Sequence, residues 1–379
     1  MKRYVFLLLL GALCAVLFRR YHQSCRTESA LYLELSQEDF GPFDERKILY
    51  LTVGIDYIPQ ELIELFTQIT GVQVVVDIFD SNEILEAKLL AGGVKYDLVF
   101  PTAWPNFARQ LKAGIYQKLD KRRLDMAIFD QDILTRLAKH DENNDYAVPF
   151  QFGISGLGID EKIVDELLSS MPKDTFALIF DPVNAQKLSK YRISIYESPN
   201  ELFPAVLAYL GLDPESENEE HIAQAAEHLK KIRPFIAKFT SFGFEDLASG
   251  SACATLGTSG DMLKVRRENA RIKFYYPREG ASLWVDVVAI PLKAKHTNNA
   301  YAFLKFLFHP MVIAEVTNTT ARANAVVKSE KYQLPELKNN PDIYPGVDIR
   351  RKCYVEKPQP SHIESLKTRL LTKIKAMGS

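Results

Sequence analysis

The sequence predicts an α/β protein built as two lobes, and three observations carry that expectation. Strand-like and helix-like segments alternate from residue 48 onward. The chain has 379 residues, about twice an ordinary domain of ~100–200. Its 47% hydrophobic and 25% charged residues are those of globular domains that bury real cores. Disorder, collagen and a polytopic membrane protein are thereby excluded. Lys and Arg total 47 against 48 Asp and Glu, a net charge of -1. That balance leaves no electrostatic footprint for nucleic acid, so a small ligand or a protein partner is expected.

Taken in order, Lys2 and Arg3 precede an apolar run over residues 4–18. A run of that length suits the hydrophobic part of an export signal better than a membrane span, which needs about 20 residues. It ends at Arg19 and Arg20. Cleavage after Ala15 and retention as an uncleaved anchor both fit, so residues 1–25 read as a signal peptide or N-terminal membrane anchor. Neither Cys14 nor Cys25 has the context of a lipoprotein acceptor. Residues 26–45, polar and broken by Gly41-Pro42, read as a linker.

Residues 48–53 then form a β-rich segment and 59–70 carry apolar residues at helical spacing. Residues 72–79 are β-rich again. Asp80-Ser-Asn-Glu83 is an acidic cap opening a helix through residue 90. Residues 96–100 make another strand, ending at Pro101. This β-α-β-α-β rhythm is that of a parallel, doubly wound sheet. A second series has strands expected at 153–158, 192–196, 253–257, 271–276 and 285–291, with helices at 161–169, 200–211, 219–232, 259–268, 298–308 and 310–316. Ligands of such sheets sit beyond the carboxyl ends of strands. Residues 54–57, 101–104, 197–201 and 258–261 are therefore the places to look.

Catalytic signatures are not found. Gly153-Ile-Ser155-Gly156 and Gly257-Thr-Ser259-Gly260 lack the final glycine of a nucleophile elbow. Gly156-Leu-Gly158 is not completed as a dinucleotide fingerprint. His22, His140, His296 and His309 have no metal-ligand spacing, and Tyr275-Tyr276 reads as strand structure. No enzyme, metal or cofactor is expected. Cys253 and Cys353 lie 100 residues apart. An oxidising compartment permits their bond, but only geometry can decide it.

From residue 46 to 375 the chain resembles the spermidine/putrescine-binding proteins of bacterial ABC importers. The densest match is Asp77-Ile-Phe-Asp-Ser-Asn-Glu83-Ile-Leu-Glu-Ala-Lys-Leu-Leu-Ala-Gly92 followed by Tyr96-Asp-Leu-Val-Phe-Pro101. Tyr209-Leu-Gly-Leu-Asp-Pro214, Ser259-Gly-Asp261, Pro277-Arg-Glu-Gly280 and Asn340-Pro-Asp-Ile-Tyr-Pro345 follow in order. The resemblance implies a two-lobed periplasmic binding protein fold of type II, with parallel-rich sheets and hinge strands near Pro149 and between Pro277 and Pro291. Lobe 1 would be residues 46–148 and 277–310, and lobe 2 residues 149–276 and 311–379. It also implies a periplasmic monomer that takes a small cationic ligand, a polyamine, and hands it to an ABC permease or a membrane sensor.

A polyamine offers only donors, so its pocket needs carboxylates spaced along a cleft and aromatic walls for the charged chain. The resemblance assigns the carboxylates to Asp56, Glu201, Asp261 and Asp286, the aromatic positions to Tyr57 and Trp284, and a hydroxyl position to Thr102. On the residues alone, Asp56 also reads as a turn and Glu201 and Asp261 as helix-start residues. Asp286 stands inside an apolar strand and needs a partner. The chain departs from the family where tryptophans are expected, at Gly54 and Thr258, and where Ile55 replaces a serine. Trp104 stands at a small-residue position, Arg322 at a tyrosine position and Glu356 at an apolar or amide position. The favoured arrangement has Glu356 neutralising Arg322. The other has Arg322 holding a ligand carboxylate, with a zwitterionic or amino-acid-like cation as the ligand.

Overall fold

A computed structural model describes residues 35–92 and 95–377. The expected export segment, Cys14 and Cys25 lie outside the described residues. Among the described residues ten strands are hydrogen-bonded together, eight in one path with β8 and β10 branching from β4: β1 (Ile48–Gly54), β2 (Gln73–Phe79), β3 (Leu98–Val99), β4 (Ala147–Asp160), β5 (Ile193–Ile195), β6 (Lys238–Phe239), β7 (Ala254–Thr258), β8 (Ile272–Tyr275), β9 (Leu283–Ala289) and β10 (Ala323–Asn324). The order β2-β1-β3-β9-β4-β7-β5-β6 contains two parallel triplets, β2-β1-β3 and β7-β5-β6.

Strand β4 joins them. Through Ile154 it pairs with β9, and with β10 at Gln151 and Phe152. From Ser155 it pairs with β7, and from Leu157 also with β8. All but one of its 14 residues are buried, as in a strand covered on both faces. The partner exchange falls several residues beyond Pro149, which marks a register shift. The chain crosses between the sheets again before β9 and after Tyr354, whose carbonyl accepts from Leu283 N at 2.9 Å.

Each sheet has its own apolar core. One gathers β1, β3, β9 and the first half of β4 with α6 (Thr297–Leu307) and α7 (Pro310–Thr320). The other gathers β5, β7 and the second half of β4 with α3 (Pro199–Tyr209), α4 (Glu219–Ile232) and α8 (Ser361–Ala376). Residues 311–379 were expected in lobe 2, yet Val312, Ile313, Val316, Val326, Leu337 and Ile343 belong to the first core. From that stretch Ile363, Leu371 and Ile374 are buried in the second, with Tyr354, Leu366 and Leu370 packed against it. Helical periodicity shows that α7 has a buried face but not which core receives it; the pairing of β10 with β4 decides that. The described part of the expected linker is also docked. Leu35 and Phe40 are buried in the first core, and Lys305 Nζ donates to the Gly41 carbonyl at 3.1 Å. Cys253 and Cys353 are free thiols, one in each core.

Helix starts are placed by caps. Helix α1 (Gln60–Thr70) ends at Gly71, whose φ of 72° suits glycine. Helix α2 (Asn82–Ala91) opens on Ser81, α3 on Ser198 with Pro199 at its first position, and α5 (Ser259–Glu268) on Thr258. All three helix starts follow parallel strands and face the line where β4 changes partners, with side-chain caps at Ser81 and Thr258. Close approach there fixes one glycine. A Cβ on Gly153 would stand 2.3 Å from Trp284 Cζ2, so the indole lies directly on the strand. Gly153→Ala is expected to destabilise the fold by about 1–3 kcal/mol through overpacking and to shift tryptophan emission. An unchanged melting temperature and spectrum would contradict this packing.

Candidate functional site

The lobes enclose a cleft of about 440 Å³ beside the crossover strand, a size usual for small-molecule sites. Its chemistry comes from the ends of strands and the starts of helices. Glu83, Glu201 and Asp261 occupy the first turns of α2, α3 and α5. The positive ends of three helix dipoles thus meet the cleft through carboxylates. Asp80, Asp286 and Glu356 complete six acidic side chains on the wall, against one basic lining residue, Arg322.

The cleft has two ends. At one, Asp286 is 2% exposed and accepts from Thr102 Oγ1 at 2.8 Å, with the Tyr57 hydroxyl as a second donor. Asn82 holds Thr102 from both sides, donating to Oγ1 at 3.0 Å and accepting from the backbone N–H at 3.0 Å. Burial pushes the Asp286 carboxyl up despite these donors. It also raises the Tyr57 phenol, with Asp286 adding to the effect. Asp261 accepts from Thr258 Oγ1 at 2.7 Å. Arg322 lies over the Tyr57 ring, 5.0 Å from its centroid, with Nη2 3.8 Å from Asp261 Oδ1.

At the other end stand Glu201 and Glu356. Ser198 supports Glu201, and Ser282 Oγ donates to Glu356 at 3.1 Å. Loss of water raises Glu201 to about 7, and the charge of Glu83 adds to this. The same loss raises Glu356 to about 8, helped by Glu201 and Glu215. Lys367, 2% exposed on α8, stands behind Glu356 and Glu215 and draws their charge in the opposite sense. Desolvation, with the neighbouring carboxylates adding to it, holds these carboxyls short of full ionisation.

Of the nine residues singled out from sequence, eight line this one cleft: Tyr57, Thr102, Glu201, Asp261, Trp284, Asp286, Arg322 and Glu356. Asp56 does not. It is exposed in the turn after β1 with φ of 55°, so Tyr57 alone turns inward. The expected Glu356–Arg322 pair is also absent. Arg322 extends from the loop after α7 toward Tyr57 and Asp261, while Glu356 accepts from Ser282, just before β9. The departures at Gly54 and Thr258 have physical reasons. A Cβ on Gly54 would be 2.7 Å from Tyr57 Cε1, so the ring fills that space; Thr258 caps α5. Sequence reasoning missed Asp80, Asn82, Glu83 and Ser282. The first three follow the carboxyl end of β2, the same strand-end signal that located 54–57 and 101–104.

Comparison with known proteins agrees with this architecture. A family model described as bacterial extracellular solute-binding protein matches residues 61–345. The chain is 37% identical over 360 residues to the putrescine-binding periplasmic protein SpuD of Pseudomonas aeruginosa, covering 93% of this chain and 98% of that one. It is 37% identical over 342 residues to the putrescine-binding periplasmic protein PotF of Escherichia coli, covering 88% and 92%. Among solved structures, the spermidine/putrescine ABC transporter substrate-binding protein PotD of Streptococcus pneumoniae superposes with a TM-score of 0.77 at 20% identity, over 88% of this chain and 100% of that one. The fold is the two-lobed periplasmic binding fold, and the chain belongs to the bacterial extracellular solute-binding protein family.

Proposed function

We propose that the protein is an extracytoplasmic receptor that captures a linear organic amine of the polyamine class between its lobes and delivers it to an ABC importer. The observation that carries this is the ratio in the cleft, six carboxylates to one guanidinium. An ammonium group offers donors alone and is answered by carboxylates. The relatives named for putrescine binding support the ligand class and a periplasmic location. The role is binding without chemistry, in a monomer, with Glu201, Glu356, Asp261 and Asp286 as the anionic contacts, Thr102 as a hydroxyl contact, and Tyr57 and Trp284 as the aromatic wall. The N-terminal segment serves as export signal or tether. Closure of the lobes on the ligand presents the outer faces to the permease.

Calorimetric titration with putrescine, spermidine and a neutral diol of equal length tests the reading. Amines are expected to bind and the diol not; an absence of binding by every amine would overturn it. Removing one partner of a buried charged contact costs about 2–5 kcal/mol, so Glu356→Gln is expected to weaken amine binding at least about tenfold with the fold intact. Equal affinity in the variant would place the ammonium site elsewhere.

The raised carboxyls also fix a pH dependence. Glu201 near 7 and Glu356 near 8 ionise as pH rises, while an alkylamine stays protonated to about 10. Amine affinity is therefore expected to climb from pH 6 to 9. Stability of the free protein runs the other way. Unfolded, these groups titrate near the ordinary carboxyl value of about 4.3, so between there and about 8 the folded state holds more protons. Melting temperature without ligand is expected to fall across that window and level above it, with a shallower slope in Glu356→Gln. A flat profile in both proteins would contradict the raised carboxyls.

A further inference from the structure

We propose that the cleft is built for an unsymmetrical amine, cationic at the Glu201–Glu356 end and carrying a hydrogen-bond acceptor at the Arg322 end. This rests on the reading of the protein as an amine receptor and names the subclass.

Arg322 is fixed in place. Its backbone N–H donates to Thr320 Oγ1 at 3.3 Å and its carbonyl accepts from Thr317 Oγ1 at 2.9 Å. Its Cγ would stand 3.2 Å from a Cβ on Gly260, so the side chain lies against the start of α5. With 17% of the side chain exposed, Nη2 is 3.8 Å from Asp261, and Nη1 is buried with no hydrogen-bond partner. The Trp284 indole N–H is buried and unpartnered in the same way. Trp284 and Asp286 alternate with Val285 on β9 and so share one face of the strand. Ser282 shares that face too, so the unmet indole donor stands midway along the cleft. The unmet guanidinium donor lies at the end where Arg322 already offsets one of the two charges of Asp261 and Asp286.

The opposite end is the reverse. Glu201 and Glu356 supply acceptors, their supporting groups are serine hydroxyls, and no lysine or arginine there lines the wall among the described residues. Lys367 lies behind the wall, toward Glu215 as well. A symmetric diamine would bring its second ammonium to Asp261 and Asp286 with the guanidinium beside it, donor against donor. A carbonyl or carboxylate oxygen in that position accepts from Nη1, and a buried donor left unmade is costly.

The test uses three probes of equal chain length: a linear diamine, its mono-N-acetyl derivative and the corresponding ω-amino carboxylate. The native protein is expected to bind at least one acceptor-bearing probe about tenfold or more tighter than the diamine. The two arms separate a neutral acyl acceptor from a carboxylate. Arg322→Met, which keeps bulk and removes the donors, is expected to reverse that preference. Diamine binding equal to or tighter than both other probes in the native protein would overturn this inference and leave the amine-receptor reading standing. Failure of all three to bind would overturn both. The native comparison needs no variant, so poor folding of Arg322→Met cannot obscure the result.

Discussion

Everything about the site depends on one strand belonging to two sheets. Strand β4 gives its first half to β9 and β10 and its second half to β7 and β8. The parallel triplets on either side therefore end their strands toward a shared crevice. Helices α2, α3 and α5 start at that crevice and carry their caps into it. The first-turn carboxylates Glu83, Glu201 and Asp261 are locally favourable because each sits at the positive end of a helix. Collected across the two lobes, the same residues become an excess of negative charge.

That excess is tolerated in two different ways. Near Tyr57 the charge is answered by fixed donors: Thr102, the Tyr57 hydroxyl, Thr258 and Arg322. Near Ser282 it is answered by retained protons, with Glu201 at about 7 and Glu356 at about 8. The first end is organised before any ligand arrives. The second is held with incomplete compensation, so a cation entering it replaces protons as counter-charge. Arg109 also spans the lobes, pairing with Glu86 at 3.0 Å and with Glu364 of α8 at 3.0 Å, so the lobes meet through contacts outside the cleft as well.

Much of this was legible in the chain. The alternation of apolar strands with capped helices predicts the α/β class, and Asp286 inside an apolar strand points to a buried partner, which proved to be Thr102. The resemblance to polyamine-binding proteins brought together residues as distant as Tyr57 and Glu356, which no local pattern can do. What sequence missed was set by tertiary pairing. Asp56 and Tyr57 are neighbours, and only the left-handed turn at Asp56 decides which one lines the cleft. Arg322 and Glu356 carry opposite charges, but the loop after α7 and the segment after Tyr354 enter the cleft at different ends. Helix α7 is apolar enough for either core, and a two-residue strand, β10, commits it to the first.

The central claim is that the Glu201–Glu356 end of the cleft receives the ligand's ammonium group. A crystal structure of the protein with an amine that binds it tests this most directly. The account expects a ligand nitrogen within about 3 Å of carboxylate oxygens of both residues, with the chain running past Trp284 toward Arg322. A nitrogen seated instead against Arg322, or a ligand bound outside the cleft, would contradict it.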